Sequence, residues 1–338
     1  MKIKYLLLGI LLLLLIFFAI FSKKEKLKTN SIERHNITNL SILKTGKIRE
    51  AFHLRAWDSG FIAITGKNPY LISFNLDTVQ SAIGGSTYYF QKLKDTILLL
   101  SEDAKTFTRI TAFDTTSVSI GANEGYIEVS NNDIYYAYQP AGISKNLEQQ
   151  TLLCRKNIAS AKVDTLVDMN IYLKQLYPFL NPEEYAPIGG GAFYTVNNQI
   201  SFLPYGVNAI FLFKGKDTIT FKPLSNKQVI RWKTNTTEVP GQGTFITLKP
   251  TEGNQSHLNF GVFYFRDQYL IPSSSVVKNG SKYHYFIDCY SSIDFTYKKS
   301  YQIIKKEDKD DYLISFALSK GYLASLSVKG NINLYLLP

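Results

Sequence analysis

Short runs of aromatic and β-branched residues recur along this chain, each bounded by Gly, Asn, Asp or Ser. Such side chains fit a pleated, half-buried surface, so the runs read as strands. They fall at residues 52–57, 60–65 and 70–76, then 95–100 and 107–113, then 126–129, 134–138 and 152–163. Four more, 192–196, 199–204, 209–213 and 218–222, form the clearest set of four. Four Asp-Thr pairs mark the ends of such runs: Asp77-Thr78, Asp114-Thr115, Asp164-Thr165 and Asp217-Thr218, spaced 37, 50 and 53 residues apart. A unit of that size reused along an all-β chain predicts the blade of a β-propeller. Asp favours turns by bonding its own backbone, so the pairs are expected at the turn between a blade's third and fourth strands, far from the central channel.

The walk along the chain favours six blades, one of them carrying an insertion in a crowded stretch, over seven if that stretch is a blade and part of another. That stretch holds runs at 229–233, 244–248, 262–265, 269–272 and 283–290. Residues 169–185 break the strand pattern: Ile171, Leu173, Leu176 and Leu180 approach helical spacing, while Pro178 and Pro182 limit any helix to a turn or two. Three final runs, 312–318, 321–328 and 331–336, leave the last blade without an outer strand. An open edge is a liability, so residues 39–48, with a strand-like 40–43, are expected to supply that strand and close the ring.

The first thirty residues stand apart. Residues 5–21 are apolar except for one Tyr hydroxyl, and lysines flank them on both sides. Their length suits a transmembrane helix better than a cleaved signal peptide, whose apolar core is shorter and ends in small residues. The sequence therefore predicts residues 1–30 as a membrane anchor or signal sequence, followed by an all-β propeller domain at 31–338. Long domains cross membranes largely regardless of charge, which favours a periplasmic or extracytoplasmic domain. The anchor region holds a net +5 of the formal charge of +11, leaving +6 on the rest. The densest charged stretch, 298–311, mixes signs and reads as a solvated loop, not as the one-sided field that nucleic acid needs. Cys154 and Cys289 have no metal-type spacing and fall on different blades, so two free, buried thiols are expected.

The anchor followed by irregular repeats ending in Asp-Thr resembles the six-bladed, TolB-like class of propellers found in bacterial envelopes. The resemblance spans roughly residues 40–338 and is architectural; it implies an envelope location but transfers no functional residue. Members of such folds include both binding proteins and enzymes.

Candidate chemistry is sparse. The four histidines, His35, His53, His257 and His284, are too far apart for a short-range metal motif, and no G-x-S-x-G elbow occurs. No cofactor or metal is expected. His53, Arg55 and Trp57 alternate on the first inner strand and could form a cationic, aromatic wall of the channel. Arg231-Trp232 offers a guanidinium beside an indole on another strand read as innermost. Gly189, Gly190 and Gly191 lack a dinucleotide fingerprint and suit close backbone approach instead. Two functions follow from these residues: a membrane-tethered binding or scaffold module with a protein, peptide or glycan partner, or a lactonase- or lyase-like enzyme. Three or more His, Asp or Glu side chains within about 5 Å of a common point in the channel would favour the enzyme.

Overall fold

The apolar runs become strands for a reason visible in their burial. Middle strands such as Gly60–Thr65 and Gln199–Pro204 are buried along nearly their whole length, because each sheet is covered on both faces. The computed structural model describes residues 33–80, 87–93, 96–101, 106–111, 114–120, 127–130, 132–138, 150–181, 184–185, 189–197, 199–214, 218–224, 229–239, 243–250, 258–306, 308 and 310–338. The apolar segment 5–21, Asp217 and His257 lie outside them. No helix among the described residues is long and apolar enough to cross a membrane.

Residues 34–338 form one unit, a six-bladed β-propeller. A leading strap carries β1 (Ile37–Asn39) and β2 (Lys44–Lys47). The first blade is β3 (Ala51–Trp57), β4 (Gly60–Thr65), β5 (Tyr70–Ser73) and β6 (Thr78–Gln80). The second is β7 (Thr87–Leu93), β8 (Thr96–Ser101), β9 (Thr106–Thr111) and β10 (Thr115–Ser119). The third is β11 (Glu128–Ser130), β12 (Asp133–Tyr138), β13 (Leu152–Asn157) and β14 (Val163–Asp168), followed by the helix α1 (Met169–Leu176). The fourth is β15 (Gly191–Val196), β16 (Gln199–Pro204), β17 (Ala209–Lys214) and β18 (Thr218–Pro223).

A separate antiparallel hairpin, β19 (Trp232–Val239) with β20 (Gly243–Pro250), precedes the fifth blade. Residues 229–233 and 244–248 are thus the insertion that the crowded stretch allowed, and with them set apart the surplus that suggested seven blades is gone. The fifth blade is β21 (Phe263–Phe265), β22 (Gln268–Pro272), β23 (Val277–Asn279), β24 (Lys282–Ser291) and β25 (Tyr297–Lys306), with β23 paired to β24. β25 corrects the reading of 298–311 as a solvated loop: Ser300, Tyr301 and Ile303 are buried at its centre, with Lys298 and Lys299 before them and Lys305 and Lys306 after. The sixth is β26 (Leu313–Ser319), β27 (Tyr322–Ser327) and β28 (Asn331–Leu336).

The ring closes through the strap, but not in the expected register. β2 pairs antiparallel with β28 as the sixth blade's outer strand, whereas β1 pairs parallel with β25 of the fifth. The strand-like 40–43 is the crossover between them: the Leu40 amide donates to Gln302 and the Leu43 amide to Leu334, both at 2.8 Å. One segment thus staples two blades. Arg34 fastens its start, donating to both carboxylate oxygens of buried Asp288 at 2.8 and 2.9 Å and lying over the Phe286 ring.

Among the described residues, six hydrophobic clusters fill the interfaces between neighbouring blades. Ile62 and Ile64 with Ile97 join the first to the second; Phe107 with Ile134 the second to the third; Leu153 with Phe193 the third to the fourth. Val196 with Tyr269 joins the fourth to the fifth; Tyr285 with Phe316 the fifth to the sixth; Phe61 with Leu326 the sixth back to the first. The excursion at 169–185 behaves as expected: Asp168 caps α1 by accepting from the Asn170 amide, Leu173 is buried in the third interface, and the helix ends before Pro178. Cys154 and Cys289 are free and buried, two blades apart.

Candidate functional site

Inner strands from five blades converge on a cavity of about 250 Å³. β3 contributes His53, Leu54, Arg55 and Ala56; β11 contributes Glu128; β15 and its exit contribute Tyr194, Thr195, Val196 and Asn197. Phe260, Val262, Phe263 and Tyr264 come from the fifth blade and its approach, and Phe316, Ala317 and Leu318 from β26.

Its polar edge is a connected set. The Arg55 Nη2 donates to Glu128 Oε2 at 2.5 Å, and the Thr195 hydroxyl donates to Glu128 Oε1 at 3.0 Å. The Glu128 side chain is 3% exposed and that of Arg55 15%, so the pair is desolvated. A buried carboxylate needs such compensation. Three blades are therefore cross-braced through one carboxylate at the channel wall.

His53 sits beside this set on the same strand. The Ser315 hydroxyl oxygen accepts from the Leu54 amide at 3.0 Å and shares a hydrogen bond of 3.2 Å with His53 Nδ1, its donor set by the imidazole tautomer. Burial first, and then the Arg55 charge, lower the His53 pKa. The residue lines the cavity and is partly buried, and the direction of the shift favours the neutral imidazole. Tyr194, Phe260, Phe263, Tyr264 and Phe316 form the aromatic part of the cavity wall. The Tyr264 hydroxyl is fixed by donating to Asp267 Oδ1 at 2.8 Å. Gly261 has φ +149°, and a Cβ there would stand 3.4 Å from the Phe263 ring and 3.5 Å from that of Tyr194. Those are ordinary contact distances, so it is the backbone angle that calls for glycine here.

Of the residues singled out by sequence, only His53 and Arg55 line this cavity. Trp57, at the strand's end, packs with Phe52, Ile62 and Leu71 between the first two blades. Arg231 and Trp232 lie at the start of the β19 hairpin, not on an inner strand. Arg231 forms a bidentate pair with fully buried Glu184, 2.7 and 2.9 Å, and the Trp232 and Asn181 amides donate to the same carboxylate. Burial pushes the Glu184 pKa up, but these donors outweigh it and hold the carboxyl below its ordinary value. That guanidinium is a tie between the post-helix segment and the hairpin. Gly189 packs against Thr151, Leu173 and Met169, the Gly190 carbonyl accepts from the Tyr205 amide, and a Cβ on Gly191 would meet the Leu203 carbonyl at 2.4 Å. Close approach is what these glycines supply, as expected, and it lies away from the cavity.

Glu128, Thr195 and Ser315 do not stand out in the sequence. A lone carboxylate in an apolar inner strand is the available signal for Glu128. Two Asp-Thr pairs behave as turn markers: the Asp77 and Asp114 amides donate to Ser73 Oγ and Thr111 Oγ1. Asp164 is a correction, since it lies within β14 and pairs with Arg155 at 2.6 Å while Asn157 caps the turn before it. Among the described residues no group of three His, Cys, Asp or Glu could hold a metal ion.

No protein-family model matches the sequence, and no curated protein matches it in sequence. Similar solved structures include a member of the DUF4221 family from Bacteroides vulgatus, at 8% identity and TM-score 0.48, covering 88% of this chain and 97% of that one. Virginiamycin B lyase from Staphylococcus aureus aligns at 10% identity and TM-score 0.44 over 87% of this chain and 99% of that one. BamB from Moraxella catarrhalis aligns at 8% identity and TM-score 0.40 over 88% and 98%. At these values nothing about ligand or chemistry follows from the likeness.

Proposed function

We propose that the chain is a membrane-tethered, TolB-like propeller of the bacterial cell envelope that acts as a binding module, with the five-blade cavity as its recognition site. The observation that carries this reading is the Arg55–Glu128–Thr195 set sharing one cavity with an aromatic wall. A concave, largely apolar surface with a few fixed polar groups is how proteins hold small ligands or parts of larger ones. The cavity's carboxylate is engaged by a guanidinium and a hydroxyl, which suits orientation of a partner more than proton transfer. The basic-flanked apolar segment 5–21 supports the tether, and the absence of strong single-sign charge on the rest fits a partner other than nucleic acid.

The test is affinity capture from envelope extract with the full chain and its Phe263→Ala variant. The reading expects species retained by the wild-type chain and lost by the variant; identical profiles from both would remove the cavity from the account. A periplasm-dependent reporter fused after Pro338 checks the orientation, and an inactive fusion would place the domain on the other side.

A further inference from the structure

We infer that the cavity takes an uncharged, hydroxyl-bearing ring, the pyranose unit of a neutral glycan, with its flat apolar face on the aromatic wall and its hydroxyls at the Arg55–Glu128–Thr195 edge. This rests on the binding reading above and narrows it to one chemistry.

Charge balance is the first reason. Among the described lining residues the formal charges are Arg55 and Glu128, in contact with each other, so they cancel. His53 adds no positive charge, because burial first and then the neighbouring Arg55 guanidinium lower its pKa. A charged ligand entering here would lose its hydration without gaining an unmatched counter-charge.

Shape and size are the second. Phe263, Tyr264 and Tyr194 are half-buried and line the cavity, and the Tyr264 hydroxyl is held by its bond to Asp267. Aromatic faces receive the apolar face of a ring, while the polar edge must be met by donors and acceptors on the same ligand. Pockets for drug-sized ligands run from roughly 300 Å³ upward. At about 250 Å³ the cavity fits a ligand of one or two rings.

The probes are glucose and N-acetylglucosamine, with glucuronate and glucosamine as charged counterparts and a short aromatic-bearing peptide as a competitor class. Each is followed by saturation-transfer NMR and titration calorimetry on the full chain. The neutral sugars are expected to receive saturation at their ring C–H protons, and the charged ones to bind about tenfold more weakly. Phe263→Ala should weaken neutral-sugar binding about tenfold. Thr195→Val, at an exposed position that keeps the side-chain volume, should weaken it about threefold and stands alone if the Phe263 variant fails to fold. Equal binding of charged sugars would overturn the inference. So would peptide binding sensitive to Phe263 with no sugar binding, an outcome that leaves the binding reading intact. Failure of every probe together with unchanged capture by the variant would overturn both.

Discussion

Arg34 and Asp288 show how much one contact can hold. Their side chains are 7% and 3% exposed, and the Ser300 hydroxyl adds a bond to the same carboxylate at 2.6 Å. Removing one partner of a buried pair leaves an uncompensated charge, so Arg34→Ala should cost about 3–5 kcal/mol in a urea titration. Lys67→Ala, which breaks an exposed pair with Glu50, should stay within about 0.5 kcal/mol. Asp311 sets the acid response. Burial pushes its pKa up, but Lys305, Ser327, the Lys329 amide and Asn331 together hold it well below the ordinary value. A depressed folded pKa means stability that is present above the unfolded value and lost as pH falls below about 4. Wild type should therefore lose more stability between about pH 6 and pH 3 than Asp311→Asn does, and equal slopes in urea midpoints would discount this carboxylate. At this scale the sequence was half legible. Alternation along 52–57 singles out His53 and Arg55, but Glu128 and Thr195 become partners only when three blades bring them to one height, which no local pattern encodes.

The elements follow the pattern of apolar positions wherever burial is two-sided. The fourth blade was legible nearly to the residue because β15, β16 and β17 are almost continuously apolar and separated by turn residues. β25 was not, since Lys298 and Lys299 at one end and Lys305 and Lys306 at the other bracket buried Ser300, Tyr301 and Ile303 and set the apparent character. β19 and β20 read as blade strands because a hairpin and a blade share the same local signal; only pairing separates them. The strap is the element with the most to test. Leu43 is 52% exposed, so its contribution lies in the backbone bond to Leu334. Leu43→Pro deletes that donor and should cost about 1–3 kcal/mol, whereas Leu43→Ala should cost less than about 0.5 kcal/mol. Equal effects in thermal or urea unfolding would show that the crossover does not staple the blades through this bond.

Across the whole molecule, the repeating period and the missing outer strand at the C-terminal end pointed to the closed ring, because closure answers an exposed edge. The double attachment of the strap was not visible, since a parallel three-residue strand such as β1 leaves almost no signature in its own sequence. Closure matters for function because inner strands from blades far apart in sequence must hold fixed positions around one cavity. The central claim is that partners are recognised there. Site-specific photo-crosslinking in living cells tests it whatever the partner's identity. A photoreactive residue at Ala56 or Asn197, both exposed at the cavity, should give discrete adducts, and one at Ile293, 89% exposed and outside the cavity lining, should not. Adducts from Ile293 with none from Ala56 or Asn197 would contradict the account.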